Sequence, residues 1–260
     1  MKFLKFSVIL TITITIFSCK TQQKVSKLKE NKHKTEHSHW AYTGENNPNN
    51  WSHIKGEYMA CDGNSQSPID IKDAMAVQPE KKNNLTLHYT TSSIDILNNG
   101  HTEEFVISDG NSLQFNGKTY QLKQFHMHTL SEHTVNGKHF PLEIHFVNKA
   151  NDDTYAVVSV LVKEGKESTF LKTYLSHFPE HEGEYKQDGE MNIMAVLPTT
   201  EHFYHYKGSF TTPPCTEAVE WIVLKEHPTA SKEQLEKLHG LMHDNYRPIQ
   251  KLNKRKIDAQ

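Results

Sequence analysis

Short apolar stretches alternate with turn residues through most of the chain after residue 39. These stretches have the length and the β-branched and aromatic content of strands. Asn-Gly or Asp-Gly pairs at 99–100, 109–110, 116–117 and 136–137 are typical of the tight turns between strands. The pattern predicts strands at 85–89, 93–97, 104–107, 112–115, 119–125, 142–147, 155–162, 192–196 and 219–224.

Helical spacing occurs at 168–178 and 232–243. Ser231 precedes the second stretch as a predicted N-cap, and Glu233 and Glu236 fall in its early turns. Residues 155–162 are apolar on both faces, which is typical of a strand in the centre of a sheet. The pattern predicts a mainly β fold with peripheral helices. We expect a single domain at 39–258, because no composition shift or internal repeat divides it.

Composition and charge narrow the classes of function. The 29 basic and 31 acidic residues leave a formal net charge of −2, and no basic stripe stands out, which argues against a nucleic-acid partner. The hydrophobic fraction of 35% is ordinary for a soluble protein. Eighteen histidines favour metal or proton chemistry, although many of them must be ordinary surface residues.

The first 38 residues predict export. Lys2 and Lys5 precede an apolar, threonine-rich run at 6–17 that is too short to span a bilayer, so 1–19 has the pattern of an export signal. Residues 16–19 resemble the cleavage box of bacterial lipoproteins, which predicts lipidation of Cys19. Phe17 is bulkier than that box usually allows, and secretion without a lipid is the alternative. The polar, lysine-rich segment 20–38 is predicted to be a disordered tether. The expected location is periplasmic or on the outer surface of a bacterial membrane.

The remaining cysteines are Cys61 and Cys215. If Cys19 carries a lipid, these two form a pair in an oxidising compartment, where a disulfide is the natural outcome. Two unrelated thiols are the alternative.

Residues 122–147 concentrate the candidate chemistry. His126 and His128 are two apart, so both imidazoles leave the same face of a strand. A type I′ turn at Asn136-Gly137 would return His145 beside them. Zinc accepts such nitrogen ligands in a tetrahedral shell, and three protein ligands leave a fourth position for water, as in catalytic zinc sites.

Two acceptors share strand faces with these histidines. Gln124 alternates onto the face of His126 and His128, and Glu143 onto the face of His145. Ligating histidines generally donate their other ring hydrogen to such an acceptor. For the two-residue histidine spacing taken alone, the alternative is a chance pair on a solvated strand face.

Longer motifs across the whole domain resemble the α-class carbonic anhydrases. They are, in the family's order, H-W-A-Y at 39–42, Q-S-P-I-D-I at 66–71, N-N-G-H at 98–101, Q-F-H-M-H at 124–128, S-E-H-T-V-N-G-K at 131–138, E-I-H-F-V at 143–147, G-S-F-T-T-P-P-C at 208–215 and N-Y-R-P-I-Q at 245–250. The resemblance implies a large, twisted, mostly antiparallel central sheet that carries the metal at the base of a conical cleft. It also implies a disulfide between Cys61 and Cys215, as in the bacterial members.

The same resemblance implies an activity, the reversible hydration of carbon dioxide to bicarbonate and a proton. Zinc held by His126, His128 and His145 would supply hydroxide near neutral pH, as is established for carbonic anhydrases. Thr211 would accept the hydrogen of this hydroxide and donate its own to Glu132, whose carboxylate can only accept when ionised.

Carbon dioxide is small and apolar, so the resemblance also implies a hydrophobic pocket beside the metal. The matching residues are Val147, Val157, Phe210, Thr212 and Trp221. Leucine is the usual family residue at the position of Phe210. The extra bulk of Phe210 puts hydrolysis of larger esters in doubt more than hydration.

Restoring hydroxide requires a proton to leave the site, and His101 matches the family's histidine shuttle. A simple turn histidine after Asn99-Gly100 is the alternative. Glu103 and Glu104 replace amide or apolar residues of the family, and we expect their negative charge to raise the pKa of His101.

Three questions stay open at the level of sequence. Relatives often form homodimers, and the sequence does not decide whether this domain does. A noncatalytic binding module of the same fold is one rival function, although the presence of all three candidate ligands argues against it. A surface protein that holds several zinc ions on its many histidines is another.

Overall fold

The computed structural model describes residues 39–260. The predicted export signal at 1–19, Cys19 and the predicted tether at 20–38 lie outside the described residues. The described helices are α1 (Trp51–Ile54), α2 (Thr169–Tyr174) and α3 (Lys232–Met242), with 3₁₀ helices at Gly56–Asp62, Asp73–Met75 and Ile193–Val196. None of the helices within 39–260 has the length and apolar character needed to cross a membrane.

The strands are β1 (Asp70–Ile71), β2 (Ala76–Val77), β3 (Leu85–His88), β4 (Thr91–Asn98), β5 (Glu103–Ile107), β6 (Ser112–Phe115), β7 (Lys118–His128), β8 (Thr134–Val135), β9 (Leu142–Lys149), β10 (Tyr155–Glu164), β11 (Gly183–Asn192), β12 (Phe203–Gly208), β13 (Val219–Leu224), β14 (Thr229–Ala230) and β15 (Ile257–Ala259).

One large twisted sheet organises this domain, as the resemblance implies. Within 39–260 it has thirteen strands, and its main path runs β11-β4-β5-β7-β9-β10-β13-β12-β15-β2. Most neighbours are antiparallel, while β10 and β13 are parallel. β10 lies in the middle of the path and is buried along most of its length, which confirms the central strand predicted from its apolar run.

Alternation along the strands separates the main hydrophobic core from the face that carries the histidines. On β7, Phe125 and Met127 are fully buried in the main core. Phe125 lies opposite Phe105 of β5, and their rings stack with centroids 4.3 Å apart. Because successive side chains leave opposite faces, the histidines of β7 lie on the other side of the sheet.

The predicted turn at Asn136-Gly137 is present, but it does not join the two long strands directly. Both residues have positive φ, 51° and 75°, and their turn closes a bridge between Val135 and Lys138. The connection between β7 and β9 spans residues 129–141 and contains β8 and this turn. β7 and β9 nevertheless pair as predicted.

One predicted strand is wrong and one predicted helix is too long. Residues 192–196 form mainly a 3₁₀ helix, because the Asn192 side chain accepts a hydrogen bond from the Met194 N–H and caps the turn. Of the helix predicted at 168–178, only Thr169–Tyr174 is helical. The last helix begins as predicted, with Ser231 and Gln234 forming a capping box.

The predicted disulfide between Cys61 and Cys215 is present. It joins a 3₁₀ helix near the start of the domain to the loop that follows β12, and both cysteines are buried. Trp51 is fully buried in the same small cluster.

Removing this disulfide should lower the free energy of unfolding by about 3–5 kcal/mol, because a cross-link over a loop of this length restricts the unfolded chain. The measurement is urea unfolding of the domain 39–260 with and without a thiol reductant. The matched control is C61A/C215A, whose unfolding midpoint should not respond to the reductant. Equal midpoints for the oxidised parent and the double variant would contradict the prediction.

Candidate metal centre

Three histidines converge on the face of the central strands opposite the main core, as the strand pattern predicts. The pairing of β7 with β9 places His126 opposite His145, with His128 opposite Glu143. Ring centroids of the three histidines lie 4.6 to 5.3 Å apart. One ring nitrogen of each lies within 4.8 Å of the others, which is an arrangement able to hold a metal ion.

The outer nitrogen of each ring contacts a hydrogen-bond acceptor. His126 Nδ1 lies 2.8 Å from Gln124 Oε1, and His145 Nε2 lies 2.7 Å from Glu143 Oε1. His128 Nδ1 lies 2.7 Å from the Asn245 carbonyl oxygen. The inward-facing nitrogens are therefore Nε2 of His126, Nε2 of His128 and Nδ1 of His145.

Burial keeps these rings in the form that binds metals. It lowers the pKa of His128 to about 4, and burial is also the main cause that lowers the pKa values of His126 and His145. Neutral imidazole is the ligand form of histidine. His128 Nε2 is buried without a hydrogen-bond partner among the described residues, which is costly unless another group occupies the point it faces.

Glu143 is the acceptor on which several of these groups depend. Its buried carboxylate contacts His145, accepts hydrogen bonds from the His133 backbone N–H and the Ser159 hydroxyl, and lies 2.7 Å from His133 Nδ1. Burial opposes its ionisation, but His133 and His145 outweigh this effect and hold the pKa of Glu143 well below its ordinary value. The His133 ring is fixed in turn by the Tyr206 hydroxyl, 2.7 Å from its Nε2.

Glu132 and Thr211, which lie far apart in sequence, meet beside the histidines. Glu132 Oε2 lies 3.6 Å from His128 Nε2, and Oε1 accepts a 2.8 Å hydrogen bond from the Arg247 backbone N–H. Burial raises the pKa of Glu132 to about 7, while His145 and the Thr211 side chain act to lower it. Glu132 Oε2 has no hydrogen-bond partner among the described residues.

An apolar wall borders the histidines, and three adjacent strands supply it. Val147 of β9 lies opposite Val157 of β10, which lies opposite Trp221 of β13. The Trp221 ring centroid is 4.8 Å from that of His145. Phe210 packs against this cluster and is half-buried, with its ring 4.6 Å from that of Tyr155. The predicted hydrophobic side chains therefore lie together, and the half-buried Thr212 follows Thr211 in the same loop.

His101 lies in a turn that its neighbours hold in place. Asn99 Oδ1 accepts the backbone N–H of His101 and that of Thr102, both at 3.0 Å. The His101 ring stacks on Trp40 with centroids 3.7 Å apart, and His39 also stacks with it at 4.9 Å. Its ring contacts are with these aromatic groups and Tyr42 rather than with the three converging histidines.

The expected effect of the two glutamates on His101 is wrong. Burial and the nearby His39 lower the pKa of His101, and the acidic group that opposes them is Glu182. Glu103 is fully buried on the core side, where Oε1 accepts a 3.0 Å hydrogen bond from Asn98 Nδ2 and Oε2 has no partner within 39–260. Burial raises the pKa of Glu103 from 4.5 to about 7. Because the Glu103 carboxyl is buried on the core side, it does not form part of a negative rim around His101.

Sequence reasoning missed the residue that links the turn of His101 to the three histidines. Asn245 accepts from His128 through its carbonyl, and its Nδ2 donates to the backbone oxygens of His101 and Met127 at 3.0 and 2.9 Å. The motif at 245–250 marks this position, but nothing in its spacing predicts a contact across more than a hundred residues.

Arg247 in the same motif is a buried hub. Its Nη1 donates to Gln66 Oε1 and the Ser67 carbonyl, both at 2.8 Å, and Nη2 donates to the Cys61 carbonyl at 2.7 Å. Burial lowers the pKa of its guanidinium to about 10, so Arg247 stays charged at neutral pH. It ties the disulfide region to the loop whose backbone supports Glu132.

Comparisons with known proteins agree on one family. The sequence model of the eukaryotic-type carbonic anhydrases matches residues 46–260. A carbonic anhydrase of Pectobacterium atrosepticum is 38% identical over 84% of this chain and 90% of the relative, and one of Neisseria gonorrhoeae is 37% identical over 85% and 88%. The solved α-carbonic anhydrase of Thermovibrio ammonificans, in complex with the inhibitor sulfanilamide, has a TM-score of 0.81 and 41% identity over 85% of this chain and 98% of that one.

Replacing the buried carboxyl of Glu103 should stabilise the domain at alkaline pH. A carboxyl whose folded pKa is raised carries no penalty well below its unfolded pKa, and the penalty grows between the unfolded and folded pKa values and is complete above the folded one. E103Q should therefore raise the free energy of unfolding by about 2 kcal/mol at pH 8.5 and change it little at pH 5. Urea unfolding at both pH values measures this, with E80Q at an exposed position as the matched control. An increase in the free energy of unfolding that is equal at the two pH values would contradict the raised pKa of Glu103.

Proposed function

This chain belongs to the eukaryotic-type carbonic anhydrase family, and we propose that it hydrates carbon dioxide reversibly with a zinc ion held by His126, His128 and His145. The observation that carries the proposal is the set of three inward-facing nitrogens within 4.8 Å of one another. His128 Nε2 is buried and unpartnered among the described residues, so a zinc ion would satisfy it. An all-nitrogen set of three ligands fits zinc at a catalytic rather than a closed structural site.

When bound, zinc lowers the pKa of a coordinated water toward neutrality, an effect established for carbonic anhydrases. The acceptors on the outer nitrogens prepare the site for it. Gln124, the Asn245 carbonyl and Glu143 each hold one ring in the orientation that leaves a lone pair facing inward.

Glu132 and Thr211 would orient the attacking oxygen. The Arg247 backbone N–H holds Glu132, and a divalent cation beside its carboxyl would favour the ionised form that can only accept hydrogen bonds. Thr211 would donate its hydroxyl hydrogen to this carboxylate. The Thr211 oxygen would then accept the hydrogen carried by the attacking oxygen. This contact would turn a lone pair of the attacking oxygen toward the substrate carbon.

Val147, Val157, Trp221 and Phe210 would form the seat for carbon dioxide beside the histidines. A neutral, apolar substrate loses little hydration free energy in such a pocket, whereas a charged product would lose its hydration without a compensating polar partner. The pocket would therefore favour entry of carbon dioxide and departure of bicarbonate.

His101 would pass the released proton to buffer. Its ring is half-buried and rests on Trp40, and its pKa is lowered by burial, so the imidazole is neutral and ready to accept at neutral pH. Asn245 fixes the His101 backbone relative to His128.

The proposed location is outside the cytoplasm, with a lipid anchor at Cys19. The basic and apolar pattern of residues 2–17 supports export, and the disulfide between Cys61 and Cys215 is consistent with an oxidising compartment. Recovery of the C19S variant in the soluble rather than the membrane fraction of expressing cells would support the anchor.

Zinc removal and a ligand substitution test the central assignment. Stopped-flow hydration of carbon dioxide by the domain 39–260 should fall at least a hundredfold after chelation and return when one zinc ion per chain is restored. H145A should lose zinc and activity together, whereas H202A, which changes an exposed histidine, should keep both. Full activity in H145A would refute the ligand set. Several bound zinc ions without activity in the parent would favour the rival of a surface metal-binding protein.

The shuttle assignment predicts a rate effect that buffer can reverse. H101A should lower kcat roughly tenfold or more in weakly buffered solution and leave kcat/KM for carbon dioxide nearly unchanged, because proton transfer follows the chemical step. Added imidazole should restore kcat. H88A at an exposed position of β3 is the matched control and should behave like the parent. An unchanged kcat in H101A would contradict the shuttle.

A further inference from the structure

We propose that Glu104 is a specificity-determining residue that weakens the binding of anions at the metal centre and so favours neutral carbon dioxide over bicarbonate and inhibitory anions. The inference rests on the proposed function and goes beyond it, because it assigns a role to a side chain that contacts no member of the orienting or shuttle groups. Three observations carry it: the position of Glu104, its lack of partners and the charges of the ligands.

The strand register places Glu104 on the metal face of the sheet. In the pairing of β5 with β7, Glu104 lies opposite His126. Its neighbour Phe105 lies opposite Phe125, and these two rings stack inside the core on the other face. Directly opposite residues in an antiparallel pair share one face, with Cβ atoms about 4.5–5.5 Å apart. The Glu104 side chain therefore lies beside the first of the three histidines.

The carboxyl of Glu104 has no compensating partner. Within 39–260, no hydrogen bond or ion pair reaches it, and the side chain is half-buried. The other acidic groups near the sheet differ from it, because Glu143 is held by His133 and His145, and Glu103 is buried on the core side. An unpaired, partly buried carboxylate lowers stability, so its position beside the histidines favours a functional explanation.

The charge of Glu104 acts on anions and spares carbon dioxide. At the effective dielectric of a partly solvated cleft, a unit negative charge within about 10 Å of a bound anion lowers the affinity for that anion roughly two- to tenfold. Carbon dioxide carries no net charge and is unaffected to first order. Bicarbonate should leave faster, and small inhibitory anions should bind less tightly, than they would with an amide at this position.

A charge series at this position provides the test. Zinc is replaced by cobalt(II), and the dissociation constants of azide and bicarbonate are read from the visible spectrum at pH 8.5, which requires no turnover. The series is the parent, E104Q and E104K. We expect E104Q to bind both anions roughly two- to tenfold more tightly and E104K to bind them more tightly still. The kcat/KM for carbon dioxide, measured on the zinc form, should stay within about twofold in E104Q.

The control variant removes the same charge from a remote position. Glu164 is exposed near the end of β10, five residues beyond Ser159, which lies opposite His145. E164Q should leave the anion affinities at parental values. The difference in anion dissociation constants between the parent and E104Q should also shrink at high ionic strength, as expected for a partly exposed charge.

Equal anion affinities in the parent and E104Q would overturn the inference. A fall of the carbon dioxide kcat/KM in E104Q as large as the change in anion affinity would also overturn it, because that result indicates a structural role. A parent protein that binds cobalt but does not hydrate carbon dioxide would instead contradict the proposed function, and the spectroscopic series would still decide the role of Glu104.

Discussion

The pairing register of β7 with β9 is the constraint on which the candidate metal centre depends. It places His126 opposite His145 and aligns Glu143 with His128. A shift by one residue would turn every side chain of a strand to the other face, so the histidines would enter the core and Phe125 would be exposed. The hydrophobic effect that buries Phe125 and its neighbours therefore also holds the three imidazoles together, although none of these apolar side chains takes part in the chemistry.

Burial determines which protonation states the side chains of the site favour, and it makes any polar atom without a hydrogen-bond partner costly. It drives the histidines to their neutral form and leaves His128 Nε2 without a hydrogen bond within 39–260. The same burial would penalise Glu143 if His133 and His145 did not stabilise its charge. A set of neutral imidazoles beside one well-compensated carboxylate is a stable arrangement for receiving a divalent cation. The network that secures it reaches through Asn245 to the turn of His101.

The glutamates near the sheet show how environment assigns different properties to one side chain. Glu143 is charged because two imidazoles lower its pKa, whereas the pKa of Glu103 is raised to about 7 because burial outweighs its one hydrogen bond. Glu132 lies between these cases, since burial raises its pKa and its neighbours oppose the rise. Glu104 faces the histidines without a partner among the described residues. The departures of Glu103 and Glu104 from the family pattern therefore have different consequences, which their adjacent positions in the sequence conceal.

Local sequence patterns were sufficient to predict most of the strands, the central position of β10, the capped last helix and the shared face of His126 and His128, because strand alternation and capping depend on neighbouring residues. The motifs of the family were sufficient to predict the large sheet and the disulfide. The sequence misplaced a strand at 192–196, where a side-chain cap outweighed β propensity, and it misjudged the charge around His101. Only the tertiary structure decided that Glu103 is buried while Glu104 faces the histidines, and that Asn245 and Arg247 support the site. These properties depend on burial and on hydrogen bonds between distant segments, and no local pattern encodes either one.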